Sequence, residues 1–132
     1  MGKRKRSLGE LELEVLKIIW NRQPCTVQEV AEILDERSGY ARTTVLTIMQ
    51  RLHAKGFLTR RKQGAAFRYS ATENRKVVMS GLIRQFVDTV LDSSPLPMVA
   101  YLSESTNLTQ EQIASLREIV EKLESQTEEA KS

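Results

Sequence analysis

A mainly α-helical fold in two parts is predicted by three observations on this 132-residue chain. Apolar residues recur at three- and four-residue spacing over most of its length, the mark of amphipathic helices. One short stretch, residues 57–70, breaks that rhythm and reads as two strands about a basic turn at Gln63-Gly64. The charge is also uneven. Residues 1–70 carry 14 Lys/Arg against 7 Asp/Glu, a net +7, whereas residues 71–132 carry 6 against 10, a net −4. A basic half joined to an acidic half suggests a nucleic-acid-binding domain followed by a separate assembly domain.

Helix starts are marked by Ser7-Leu-Gly-Glu10, Thr26-Val-Gln-Glu29 and Thr109-Gln-Glu-Gln112. In each, a hydroxyl and a Glu or Gln three residues later can satisfy free N–H groups as a capping box. The first helix is expected from Leu8 to Asn21, burying Leu8, Leu11, Val15, Leu16 and Ile19, with Pro24 ending it. A second, Val27 to Asp35, buries Val27, Val30, Ala31 and Leu34. After Ser38-Gly39 a third runs from Arg42 to Lys55, with Val45, Ile48, Met49 and Leu52 inward and Gly56 as a left-handed cap. FLTRRK and AAFRYS then form a hairpin, to which Thr26-Val27-Gln28 is expected to add a minimal third strand. Helix, helix, helix, hairpin is the order of a winged helix-turn-helix, assigned to residues 1–71.

Residues 72–132 are assigned to a helical dimerisation domain. Thr72 is a simple N-cap for a helix over residues 73–92, whose apolar stripe includes Met79, Leu82, Ile83, Phe86 and Val90. Ser93-Ser94-Pro95-Leu96-Pro97 ends it, and Met98 to Leu102 supplies another turn or two. A last helix over residues 110–124 sets Ile113, Leu116, Val120 and Leu123 at coiled-coil spacing, before a tail expected to fray. Two short helices with stripes this wide cannot cover each other, which points to a homodimer. Packing back onto the winged domain is the alternative.

The third helix carries the candidate chemistry. Opposite its apolar side lie Thr43, Thr47, Gln50 and Ala54, flanked by Arg51 and Thr44, with no acidic residue. Small hydrogen-bonding side chains on a helix, beside a basic hairpin, are what entry into a DNA major groove requires. Thr can meet a thymine methyl or a base acceptor, Gln can pair with adenine and Arg with guanine. Arg51 is equally suited to a phosphate or to an acid on the first helix. Arg42, Thr44 and the helix N-terminus suit phosphates. Arg60, Arg61, Lys62 and Arg68 line the wing, but strand alternation forbids all four from facing DNA, so two or three phosphate contacts are expected. Lys3 to Arg6 reads equally as a minor-groove arm or a solubilising tail.

Other residues carry less. His53 stands alone as a surface histidine, and Trp20 reads as core. Cys25 directly precedes an N-capping Thr, where a helix N-terminus could lower its pKa; a redox switch there is the less favoured reading. The single cysteine rules out an internal disulfide framework. No apolar run approaches membrane-spanning length and none follows the first charges, so a cytoplasmic protein without membrane insertion is expected. There is no nucleophile–base pair, Gly-rich phosphate loop or metal spacing, so neither an enzyme nor a cofactor is expected. The competing class is a winged module whose basic face meets an acidic protein.

LGELELEVLKIIW, TVQEVAEIL and TTVLTIMQRLHAKGFLTRRKQGAAFRY resemble the penicillinase-repressor (BlaI/MecI/CopY) family of transcriptional regulators. The most specific pieces are the opening Leu-Gly-Glu-Leu-Glu with Trp20, and Thr44-Val45-x-Thr47 followed by Arg51-Leu52-x-x-Lys55-Gly56. The resemblance is clear over residues 7–71 and looser through Leu108-Thr109 and the final helix. It implies a homodimer that binds palindromic operators and represses transcription. It also implies, as a partner, a membrane sensor protease or its downstream protease. Relatives controlling β-lactam resistance are cut between the last two long helices, usually at Asn-Phe. Ala100-Tyr101 stands here, so an altered protease or no proteolytic switch is expected. Copper-responsive relatives carry paired C-terminal cysteines, which this chain lacks. The position before Thr47, often basic in relatives, is Leu46, a change expected to alter operator preference.

Overall fold

The computed structural model describes residues 7–104 and 107–131. The proposed arm at Lys3 to Arg6 lies outside the described residues. In chain order the elements are α1 (Glu10–Arg22), α2 (Val27–Ser38), α3 (Arg42–Ala54), β1 (Leu58–Gln63), β2 (Ala66–Ala71), α4 (Arg75–Thr89), α5 (Leu96–Glu104) and α6 (Gln110–Lys131). They fall into two compact units, one ending at Ile83 and the other beginning at Arg84. That division lies beyond the boundary expected after Ala71.

The core of the first unit is built from the inward faces of three helices. Val15, Leu16 and Ile19 of α1, Val30 and Leu34 of α2, and Val45, Met49 and Leu52 of α3 are fully buried. Ile18 joins them, whereas Leu8, Leu11 and Val27 are only half-buried at the margin. The hairpin is fastened by Leu58 and Tyr69, each 2% exposed. Val78 of α4 completes the core and Leu82 packs against it. Leu82 was expected in a dimer seam; its position one turn beyond Val78 on α4 places it here instead. Trp20 belongs to this core too, its indole Nε1 donating to the Glu73 carbonyl at 3.0 Å.

Several caps differ from expectation. α1 starts two residues late, at Gly9 rather than Ser7, because Glu12 reaches back to accept from the Gly9 N–H at 2.8 Å. A glycine can make only this half of a capping box. Thr26 makes both halves, exchanging bonds of 3.1 Å with Glu29, and α2 runs on to a left-handed Gly39 that bonds the Leu34 and Asp35 carbonyls. Because Thr26 is occupied as a cap, the extra β-bridge forms one residue earlier, between Cys25 and Tyr69. The hairpin loop is Gly64-Ala65, with Gly64 at φ 64°, where an L side chain would be strained. Asn74, not Thr72, caps α4, its Oδ1 accepting from the Val77 N–H at 2.9 Å.

The second unit has a different character. The Thr109 capping box forms as its spacing predicts, with bonds of 3.0 and 3.1 Å to and from Gln112. Helix α6 then continues past Glu124 to Lys131, so the tail that was expected to fray is helical. Glu, Gln, Ala and Lys are good helix formers, and Thr127 Oγ1 donates back to the Leu123 carbonyl at 2.9 Å. No residue of α5 or α6 is buried.

Candidate nucleic-acid interface

Helix α3 divides cleanly. Val45, Ile48, Met49 and Leu52 are buried, while Arg42, Thr43, Leu46, Thr47, Gln50 and Arg51 are exposed and Thr44 is half-buried. Ala41 precedes the first turn and offers no side-chain cap, leaving that end of the helix to a ligand or water. Thr47 Oγ1 donates to the Thr43 carbonyl at 3.0 Å, which commits its proton and leaves the oxygen as an acceptor. Arg51 does not hold an acid of α1. Lys55 does so, donating from Nζ to both Glu12 carboxylate oxygens at 2.8 Å and to the Ser7 carbonyl at 2.9 Å.

The wing separates its cations by strand parity. Register pairs Arg60 with Tyr69 and Lys62 with Phe67 on one face, and Arg61 with Arg68 on the other. The first face borders α3. Arg42, Leu46 and Gln50 of the helix, Val27 of α2 and Arg60 and Phe67 of the wing line one groove of about 390 Å³. The Arg60 guanidinium lies 4.3 Å from the Phe67 ring centroid, a cation–π contact that steadies it. On the opposite face Thr59, Arg61, Arg68 and Ser70 border a second concavity of about 510 Å³ beside Pro24, which Arg60 and Lys62 also reach. Directly opposed arginines repel, and Glu29 relieves the pair by bonding Arg68 at 3.4 Å. The Thr26 backbone and hydroxyl, with Arg68, hold the Glu29 carboxyl below its ordinary value.

Sequence reasoning missed two features of this surface. One is the pairing of Leu46, marked in the sequence only for operator preference, with Phe67 across one groove, each 39% exposed. The other is Glu29, which both caps α2 and ties the wing to it through Arg68. The i, i+4 spacing of Arg42, Leu46 and Gln50 could have signalled the first; the second needs a contact across 39 residues. Cys25 is a correction. It is fully buried, and burial pushes its thiol up to about 11, the reverse of activation by a helix N-terminus.

The sequence matches the penicillinase repressor family over residues 8–122. The chain belongs to this family. Its members are transcriptional repressors, not enzymes. The chain is 25% identical over 122 residues to the methicillin resistance regulatory protein MecI of Staphylococcus aureus (strain N315), covering 92% of this chain and 99% of that one. It is 38% identical over 77 residues to the transcriptional regulator BlaI of Mycobacterium tuberculosis, covering 58% and 56% respectively. The solution structure of the DNA-binding domain of the repressor BlaI superposes with a TM-score of 0.51 at 31% identity, over 56% of this chain and 90% of that one. The winged arrangement of α1–α3 and the hairpin is thus that of a DNA-binding transcriptional repressor. Among the described residues no helix is long and apolar enough to cross a membrane.

Proposed function

We propose that this repressor binds palindromic operators as a homodimer, laying α3 in the major groove of each half-site and the wing along the flanking backbone. The observation that carries the reading is the acid-free outer face of α3, set beside Arg60 in one groove. Thr43, Thr47, Gln50 and Arg51 face the bases. Arg42, Thr44 and the open helix end hold phosphates, with Arg60 and Lys62 on the α3 side of the wing and Arg61 on the other. Arg68 is the weakest of these contacts, since Glu29 already engages it.

The dimer is supported by apolar surface that is exposed among the described residues. Ile83, Phe86, Val90, Ile113, Val120 and Leu123 are each 38–60% exposed. Leu116 and Met79 are half-buried beside them in sequence and extend the same stripes. Surface of this kind on a soluble chain calls for a partner, and a second copy also matches a two-fold operator. Ala100 and Tyr101 lie on α5, the Ala100 carbonyl accepting from Ser103 Oγ at 2.8 Å. A sensor protease or its downstream protease would have to open that helix as well as accept Ala-Tyr, which favours an altered protease or induction without cleavage.

Replacing Gln50 with Ala tests the reading directly. The loss should be about 1–3 kcal/mol on the selected operator and slight on random DNA. Equal losses on both would move Gln50 to the backbone, and no preference for any sequence would leave a winged module for a protein partner.

A further inference from the structure

Leucine is an unusual residue to present to a nucleic acid. Leu46 nevertheless sits between Arg42 and Gln50 on the ridge of α3 that borders the wing, on the opposite side of the helix from Ile48 and Leu52. Phe67 faces it across the groove from β2, equally exposed at 39%. Arg60 stacks on the Phe67 ring, and Val27, Ala65 and Ala66 line the same groove, so its apolar wall carries a guanidinium. Water gains nothing from either side chain, and burying them within the chain would require the wing to fold onto α3. An occupant that fits is apolar where it meets Leu46 and Phe67 and polar where it meets Arg42, Gln50 and Arg60.

The major groove offers one such feature. The thymine C5 methyl stands beside the O4 acceptor and next to purine edges that Arg and Gln can bond. We infer that Leu46 is a specificity-determining residue that packs on a thymine C5 methyl in each half-site, with Phe67 closing the groove from the wing. The inference rests on the operator-binding reading above. The ridge then spans three contacts in two helical turns: a phosphate at Arg42, a thymine methyl at Leu46 and an adenine at Gln50.

Removing only the methyl isolates this contact. The full-length protein is used to select its preferred duplex from random DNA, and each thymine of that duplex is then replaced singly by deoxyuridine. Base pairing and the O4 acceptor are unchanged. At one position in each half-site the substitution should weaken binding about three- to fourfold, the worth of one buried methyl-sized group. Leu46→Ala should bind the unmodified duplex more weakly and lose that methyl dependence, while keeping its dependence on the base that Gln50 reads. A methyl effect of the same size in Leu46→Ala and the parent, or none at any position, would overturn the inference with operator binding intact. Absence of any selected sequence would overturn the operator reading and this inference with it.

Discussion

The two units of this chain solve the problem of apolar surface in opposite ways. Up to Val78 the first buries sixteen hydrophobic residues in one cluster, drawn from α1, α2, α3, the hairpin and the start of α4. The second has Leu96 71% exposed, Tyr101 66% and Leu123 56%, and no residue of α5 or α6 is buried. One unit is a finished core and the other, in the proposed dimer, is half of one. A repressor gains from this division. Base readout needs side chains held on a rigid frame that one chain can build alone, whereas two-fold recognition needs a surface that stays unsatisfied until a second chain arrives.

The largest expected effect comes from denying the second unit its partner. Leu116→Glu combined with Val120→Glu places carboxylates in the proposed seam and should convert the dimer to a monomer in sedimentation. Each half-site reader then loses its tethered neighbour, and operator affinity should fall on the order of 10²–10⁴-fold. Circular dichroism of the winged unit should change little. A variant that still sediments as a dimer would place the seam elsewhere.

Next in size is the contrast between a finished and an unfinished core. Leu16 is fully buried, so Leu16→Ala should cost about 3 kcal/mol, the same at every protein concentration. Leu123, at 56% exposure, has little to lose within its own chain. The effect of Leu123→Ala should instead follow mass action, shrinking as protein concentration rises. Thermal melts over a hundredfold range of concentration distinguish the two. Concentration-dependent loss for Leu16→Ala would mean that the winged unit does not fold without its partner.

Most of the winged unit was legible because its signals are local. Thr26, Glu29 and Gly64 act within three or four residues, and the stripes of α1, α2 and α3 follow from helical period alone. Contacts distant in sequence were not legible. Two overlapping capping frames begin at Ser7 and Gly9, and the second prevails where Lys55, 43 residues away, secures the Glu12 carboxylate. Arg68 looks like any wing cation until Glu29 is placed beside it. Leu82 continues an exposed stripe in sequence but belongs to the core, because Val78 carries the start of α4 onto the winged unit. Cys25 next to a helix start suggested activation, and its burial reverses the sign.

The smallest effect sharpens the claim that the winged unit is complete in itself. Burial pushes the Glu12 carboxyl up, but the hydrogen bonds from Lys55 and Gly9, with the charges of Lys55 and Arg51, outweigh it and hold the group below its ordinary 4.5. A carboxyl lowered on folding stabilises the native state above its unfolded value, and that stabilisation fades as pH falls through the lower folded value. Lys55→Met removes the ammonium partner and leaves Glu12, only 7% exposed, with the Gly9 N–H and the more distant Arg51 charge. Stability at pH 7 should drop by about 2 kcal/mol, the worth of a hydrogen bond to a charged group. As pH falls through the lowered folded value of Glu12, protonation removes the charge that Lys55 serves, and the gap between variant and parent should narrow. Some acid sensitivity should persist in the variant, because Glu29 is also held low by Thr26 and Arg68 on the other side of the unit. Urea titrations at pH 7 and over a descending acid series, each at two protein concentrations, read both axes. A gap that stays constant with pH would remove Glu12 as the titrating group. A gap that varied with concentration would show that the bond between α1 and the end of α3 depends on the second chain.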